Sequence, residues 1–555
     1  MNTAPAWPST VESIRHAVIG HDAAIHTPFG LRRVTYADWT ASGRSLSLIE
    51  NAIHQAVLPL YANTHSESSG TGIHTTRLRE WARTAIRTAV GANSGEHAVI
   101  FVGSGATAAI DRLITILGLR HPAAGGSTRE TPLVIVGPYE HHSNEVQWRE
   151  TRAEVVVVPL DEEGQIDTGA LETILIHNRR REVIGSFSAA SNVTGMLSDV
   201  DRVTRILKRH DALACWDYAA AAPYTTIAMH SHESDPLRCQ DAVFISPHKF
   251  IGGPGTPGIL VIRRELAANA VPSIPGGGTV AYVGPGAHDY ITDIEGREEG
   301  GTPDIIGSIR AGLAFQLKEH IGTDTIRHYE ERFTRQALDR WSAHPKIEIL
   351  GDTSRPRLPI IAFNIRGHTS GRRLHHNYVV ALLNDLFGIQ SRGGCSCAGP
   401  YGHHLLRIDE TLSLQYRNRI LKGDTVLKPG WVRLSFNYFT SEEEVRYILD
   451  AVEMIAHHGW RLLPDYDMEP STGVWRHRHD VAAAGRTNPE SAGEFPTLLP
   501  VPTLPVEALQ DHLEAARQIL GAGSNPRIDQ ARPQADALTW FETHTLDVDT
   551  RWETA

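Results

Sequence analysis

Residues 241–260 read DAVFISPHKFIGGPGTPGIL, and the fold turns on them. Ala242 to Ile245 are apolar and partly β-branched, the signature of a short buried strand. Ser246-Pro247-His248-Lys249 follows, and the glycines and prolines between Gly252 and Gly258 let the backbone pack closely. One lysine is thereby held at the end of a buried strand, among small residues that admit a flat ligand. A lysine in such surroundings gives up its proton more easily, as Schiff-base chemistry requires. The alternative is an ordinary surface lysine in a turn, and this stretch alone does not separate the two.

Composition narrows the field. A chain of 555 residues is too long for one simple core and predicts two or three domains. A formal charge of -11 disfavours nucleic acid or an anionic membrane as the main partner. No apolar run approaches a membrane span, and the opening MNTAPAWPST lacks the basic and apolar regions of a secretory signal. Four cysteines make no disulfide framework, so the expected compartment is the reducing cytoplasm.

Upstream of Lys249 the pattern alternates. HAVIFVGSGATAAIDRLITILGL (97–119) gives a strand, a glycine turn and an apolar helix whose N-terminal N–H groups form a natural phosphate cradle. Its G-x-G-x-x-A also invites a dinucleotide reading, but no acidic residue ends a second strand about 20 residues on. Strands ending near Glu140-His141-His142, in REVIGSFSAASNVTG (181–195) and in DALACWDYAAAAPY (211–224) continue the alternation. Such β–α units imply a mostly parallel sheet with helices on both faces and ligands beyond the strands' C-terminal ends. His141, Asn192, Asp217 and Lys249 all fall at such ends. Before them, YANTHSESSGTG (61–72) reads as a polar loop, with Asn63 and His65 as candidate substrate-binding residues.

After EEGGTPDIIGSIRAGLAF (298–315) the pattern changes to a smaller α+β domain. The expected division is an N-terminal segment 1–45 packing on the small domain, a large cofactor domain 46–305, a small domain 306–464, and an extension 465–555. The extension is rich in Pro, Ser, Thr and charge, which predicts partial disorder around one helix at Val506–Leu520.

Pyridoxal phosphate needs an amine, an acid beneath its ring nitrogen, a flat group against the ring and donors around its phosphate. Lys249, Asp217 and His141 supply the first three; Thr107, Ser246 and His248, with Ala106 in the same turn, supply the fourth. In order and spacing these motifs resemble the class V aminotransferase family of fold type I pyridoxal-phosphate enzymes, near its cysteine desulfurase and selenocysteine lyase branch. The resemblance covers about residues 30–460. It implies an α/β fold with a seven-stranded-type, mostly parallel sheet sandwiched by helices, plus a small α+β C-terminal domain. It also implies a Schiff base at Lys249, ring nitrogen to Asp217, stacking by His141, Asn192 near the phenolic oxygen, and phosphate binding by Thr107, Ser246 and His248. Thr302 of GGTPD would reach the partner subunit's phosphate in a homodimer with shared active sites. Ala220 stands where the family usually has glutamine, and an insertion at about 403–428 follows the cysteine loop.

That loop, SRGGCSCAGPYG (391–402), is similar to the family's Arg-x-Gly-x-x-Cys-Ala segment and puts Cys397 at the nucleophile position. VRLSFNYF (432–439) is similar to the segment whose arginine, here Arg433, grips the substrate carboxylate. Read from the residues alone, Cys395 and Cys397 are buried bystanders, metal ligands with His403 and His404, or a reactive thiolate favoured by Arg392. The last is preferred, with no metal expected; Cys215 and Cys239 read as structural. The implied activity is sulfur removal from L-cysteine to give L-alanine and a persulfide on Cys397, passed to a sulfur-acceptor protein. The alternatives are an aminotransferase, epimerase or carbon–sulfur lyase acting on another amino acid, and a scaffold of the same fold without catalysis.

Overall fold

The computed structural model describes Trp7 and residues 10–64, 66–120, 130–230, 235–368, 371–479, 500–523 and 538–543. The chain divides into two compact units. The first comprises 1–19, 40–329 and 354–358; the second comprises 20–39, 330–353 and 359–555.

The first unit is built on a seven-stranded sheet. Its strands are β1 (His97–Val102), β2 (Leu133–Val136), β3 (Glu154–Val157), β4 (Val183–Ser188), β5 (Leu213–Asp217), β6 (Ala242–Ile245) and β7 (Gly258–Arg263). They lie in the order β1-β7-β6-β5-β4-β2-β3. Only β7 runs antiparallel, against β1 and β6, while β6, β5, β4, β2 and β3 pair in parallel. Every residue of β1, β2, β4 and β6 is buried, the expected result for near-continuous apolar runs covered on both faces. From β2 the chain steps outward to β3, whereas from β4 it steps to β5 and then β6. The order therefore reverses between β2 and β4, the position at which open sheets of this kind take ligands beyond the strands' C-terminal ends.

Helices α1 (Gly70–Ala89), α2 (Gly105–Ile116) and α3 (Ile305–Ile321) belong to this unit. The polar loop is shorter than the sequence suggests. Ser69 caps α1 by accepting the Gly72 N–H, and the glycines at 70 and 72 form its first turn. Position 72 needs its glycine, since a Cβ there would lie 2.3 Å from the Ser66 carbonyl oxygen. Against the expected division at 305/306, α3 stays with the first unit because Gly312 sits on α1, its notional Cβ 2.6 Å from that of Ala82. The boundary instead falls inside α4 (Thr323–Ser342), at Tyr329/Glu330. Sequence reading also passed over a hairpin at Val280–Val283 and His288–Tyr290.

The second unit holds an antiparallel four-stranded sheet of β8 (Ile347–Ile349), β9 (Ile360–Ile365), β10 (Arg392–Gly394) and β11 (Trp431–Ser435), ordered β8-β9-β11-β10. Helices α5 (His376–Phe387) and α6 (Glu442–His458) accompany it, α6 opened by a reciprocal Ser441–Glu444 capping box. One expectation is corrected here. The N-terminal segment is not one piece on the small domain: 1–19 belong to the first unit and 20–39 to the second. The described part of the extension is folded, and its helix falls where the sequence placed one. Pro502 and Leu504 bond to Ala24 and Asp22, and α7 (Ala508–Ala522) buries Leu509, Leu513, Ala516 and Leu520 along one face. The insertion after the cysteine loop is helical too, at Gly399–Leu406 and Glu410–Ile420.

Candidate functional site

In the first unit, His141 lies beyond β2, Asn192 beyond β4, Asp217 at the end of β5 and Lys249 in the turn after β6, so neighbouring parallel strands deliver all four to one edge of the sheet. Asp217 is only 4% exposed. Burial pushes its carboxyl up, while the Ala219 N–H, 2.8 Å away, and the charge of Lys249 hold it down. That balance is what a ring N–H cation would improve, since it would pair the buried carboxylate directly. The residues present therefore fit pyridoxal phosphate.

Lys249 closes a tight turn, its N–H donating to the Ser246 carbonyl at 3.0 Å. The turn is clamped from the N-terminal side: the Gly43 N–H and Ser42 hydroxyl both donate to the His248 carbonyl, at 2.9 and 3.1 Å. Gly253 cannot carry a side chain, because its Cβ would lie 1.9 Å from the Pro247 carbonyl oxygen. The imidazole of His248 is pushed down to about 4 by burial and then by the Lys249 charge, so it stands neutral beside the lysine.

The phosphate candidates gather at the N-terminus of α2. Ser246 Oγ accepts the Ala106 N–H at 2.8 Å, and Gly105, at φ +56°, leaves room for that hydroxyl. Thr107 Oγ1 shares a hydrogen bond of 2.7 Å with Ser143 Oγ. His141 Nδ1 accepts the Ser143 N–H at 3.1 Å, which ties the ring's orientation to the same serine. Thr302 is exposed on the turn before α3, Asn63 is exposed in the polar loop, and His65 lies outside the described residues.

Behind this edge lies a polar network that sequence reading missed. Glu140 accepts the Ser188 N–H at 2.8 Å and hydrogen bonds from Ser188 Oγ and Asn144 Nδ2 at 2.6 and 2.7 Å. Burial pushes its carboxyl up to about 7, against these bonds, with the charge of Asp217 adding to the rise. The only sequence signal was an acid next to His141.

In the second unit, Arg433 points from β11 toward Asp38. Its Nη2 lies 3.2 Å from Oδ1, and Arg392 Nε from β10 lies 2.9 Å from Oδ2. Arg433 is 4% exposed; burial lowers its pKa and the Asp38 carboxylate holds it up. The cysteine loop begins directly after β10. Cys395 is half-buried and Cys397 exposed, and all four cysteines are free thiols. Ser396 and Cys397 sit in the left-handed region at φ +52° and +55°, which costs non-glycine residues on the order of 1 kcal/mol each. Trp431 Nε1 donates to Ser396 Oγ at 3.2 Å and helps hold the turn. His403 bonds instead to the Gly399 carbonyl and Ser413 Oγ, both at 2.8 Å. Among the described residues no group of three His, Cys, Asp or Glu is placed to hold a metal ion.

No helix among the described residues is long and apolar enough to cross a membrane. The sequence model for "Aminotransferase class-V" matches residues 35–448. A cysteine desulfurase of Shigella flexneri is 29% identical over 431 residues, 76% of this chain and 93% of that protein. A cysteine desulfurase of Escherichia coli K12 is 29% identical over 376 residues, 66% of this chain and 85% of the relative. Among solved structures, the apo cysteine desulfurase of Thermococcus onnurineus superposes with a TM-score of 0.63 at 23% identity, covering 80% of this chain and 98% of that one. A second, from Escherichia coli, gives 0.61 at 20% identity, covering 80% and 98%.

Proposed function

Since the chain belongs to the aminotransferase class-V family and is a pyridoxal-phosphate-dependent enzyme, we propose that it removes sulfur from L-cysteine, giving L-alanine and a persulfide on Cys397. The observation that carries this reading is the convergence of Lys249, Asp217, His141 and Asn192 at the ends of neighbouring strands. Bound at Lys249, pyridoxal phosphate supplies an electrophilic carbon for the substrate amine and a ring that takes up the electron pair released when the Cα–H bond breaks. Asp217 would hold the proton on the ring nitrogen, and His141 would stack on the ring. The Lys249 amine, freed by the substrate amine, would serve as the general base that takes the Cα proton and as the acid that returns it. Neutral His248, Ser246, Thr107 and the N–H groups at the start of α2 would hold the phosphate. Arg433 receives the substrate carboxylate, with Asp38 balancing its charge beforehand. Cys397 Sγ, as the thiolate, forms the S–S bond while the substrate C–S bond breaks and its electron pair stays on carbon.

The same reading makes the protein a cytoplasmic homodimer that hands sulfur to an acceptor protein. Supporting the dimer, Ile274, Tyr282 and Val283 are exposed around the hairpin, and the Gly301 N–H beside Thr302 donates to the Gly277 carbonyl of that region.

The test is turnover of L-cysteine with a reducing thiol, quantifying alanine and sulfide, alongside a panel of other amino acids. Cys397→Ala is expected to keep the cofactor's visible absorption and lose sulfide release. Lys249→Ala is expected to lose the borohydride-sensitive band. Unchanged sulfide release from Cys397→Ala, or faster turnover of another amino acid with a keto-acid product, overturns the assignment.

A further inference from the structure

The extension contributes a short segment whose position bears on the cysteine loop. Phe541 bridges in parallel to Arg373, with the Arg373 N–H donating to the Trp540 carbonyl at 3.3 Å and the Glu542 N–H to the Arg373 carbonyl at 2.9 Å. Phe541 and Glu542 are each 1% exposed, and Glu542 accepts the His368 N–H at 3.0 Å. Gly367 is required beneath it, because a Cβ there would lie 2.1 Å from the Glu542 carboxyl carbon. This is a docked strap rather than a loose tail.

The strap covers two buried histidines at the start of α5. The Trp540 ring stacks on His375 and His376 at centroid distances of 5.3 and 5.7 Å. Its indole N–H donates to the Leu427 carbonyl at 3.1 Å. His375 Nδ1 accepts the Asn377 N–H while Nε2 meets the Val426 carbonyl, both at 3.1 Å, so this ring is a neutral Nε2–H tautomer. His376 also lies against the strand that leads into the cysteine loop. A Cβ on Gly393 of β10 would lie 3.0 Å from His376 Nδ1, and one on Gly430 would lie 2.8 Å from both His376 Cδ2 and Gly394 Cα. Cys395 follows directly, and then the two residues held in the left-handed region.

We propose that Trp540, acting through the His375–His376 pair, is a positioning residue that holds β10 and the Cys395–Cys397 turn in their strained conformation. A left-handed turn at two successive non-glycine residues persists only if its surroundings over-determine it. β10 and the Leu427–Gly430 segment are both packed on His376, and Trp540 covers a face of its ring. Loss of the indole opens that face, and the turn relaxes toward ordinary backbone angles. The inference takes its functional meaning from the reading of Cys397 above, but its test reads the loop itself and holds whether or not cysteine is the substrate.

The experiment is hydrogen–deuterium exchange and thiol alkylation on the full chain with cofactor bound, comparing wild type, Trp540→Ala and Trp540→Phe. In Trp540→Ala, peptides spanning 391–398 should exchange faster, and half-buried Cys395 should be alkylated by iodoacetamide roughly tenfold faster, as expected for a segment whose local opening has become easier. Peptides from the seven-stranded sheet should be unchanged. Trp540→Phe keeps a stacking ring but lacks the bond to Leu427, so its effect should be smaller in the same peptides. Should Trp540→Ala fail to fold, the phenylalanine variant decides alone. Faster exchange confined to 424–428 and 538–543, with 391–398 and Cys395 unchanged, would overturn the proposal.

Discussion

Replacing Glu140 by glutamine should change how the protein's stability depends on pH. The carboxyl titrates near its ordinary value of 4.5 when the chain is unfolded and is pushed up to about 7 in the folded protein. Below the lower value both states hold the proton and the group contributes no pH dependence. Between the two values the unfolded chain releases its proton while the folded one retains it, so wild-type stability falls as pH rises. Above about 7 the penalty is complete. Two and a half pH units at 1.36 kcal/mol each amount to ~3 kcal/mol for a fully buried group. Glutamine keeps the size of the side chain and never ionises. Relative to wild type, Glu140→Gln should therefore gain about 3 kcal/mol between pH 4.5 and 8, whatever constant offset the lost hydrogen bonds to Ser188 and Asn144 impose. The assay is urea unfolding of the cofactor-free protein, followed by tryptophan fluorescence at half-unit steps of pH. A difference between variant and wild type that stays flat across this range, or shrinks as pH rises, would refute the reasoning.

Two further outcomes follow from close contacts at Gly253 and Asp38. Gly253→Ala forces a methyl group onto the Pro247 carbonyl oxygen 1.9 Å away, so the Lys249 turn must shift. Cofactor affinity, read by titrating the visible absorption band, should fall tenfold or more with the secondary structure intact, since displacements of about 1 Å are costly at such sites. Asp38→Asn leaves the buried Arg433 guanidinium without its carboxylate and should destabilise by roughly 3 kcal/mol. In a double-mutant cycle Arg433→Met should recover much of that loss, and strict additivity in urea unfolding would show the pair is not coupled.

The parallel core of the first unit was legible in the sequence because its strands are buried on both faces. Runs such as Val99–Val102 and Ala242–Ile245 need no partner to be recognised. His141, Asn192, Asp217 and Lys249 were legible for the same reason, since each stands at or beyond the end of such a run, whereas Cys397 was marked only by its loop motif. What escaped was whatever depends on residues far apart in the chain. Asp38 lies 354 and 395 positions before the arginines it joins, and nothing local marks it. Glu140 was visible only as a neighbour of His141, because its role depends on Ser188 of another strand. The helix of the extension was legible at Val506–Leu520, but the strap within 538–543 was not, because Phe541 packs on His375 and Trp475, far away in the chain.

The split of the N-terminal segment also sets an order of events during synthesis. Thr35–Tyr36 forms a parallel bridge with Ile389–Gln390, so the ribosome must add about 350 residues before that partner exists. At roughly 5–20 residues per second this is a wait of about 20 to 70 s. During that interval the side chains of Arg32 and Arg33, buried in the finished protein, lack the Leu386 carbonyl and the Glu444 carboxylate they bond to. The small unit thus cannot close co-translationally from its own beginning, and neither unit can be expressed as one uninterrupted gene fragment.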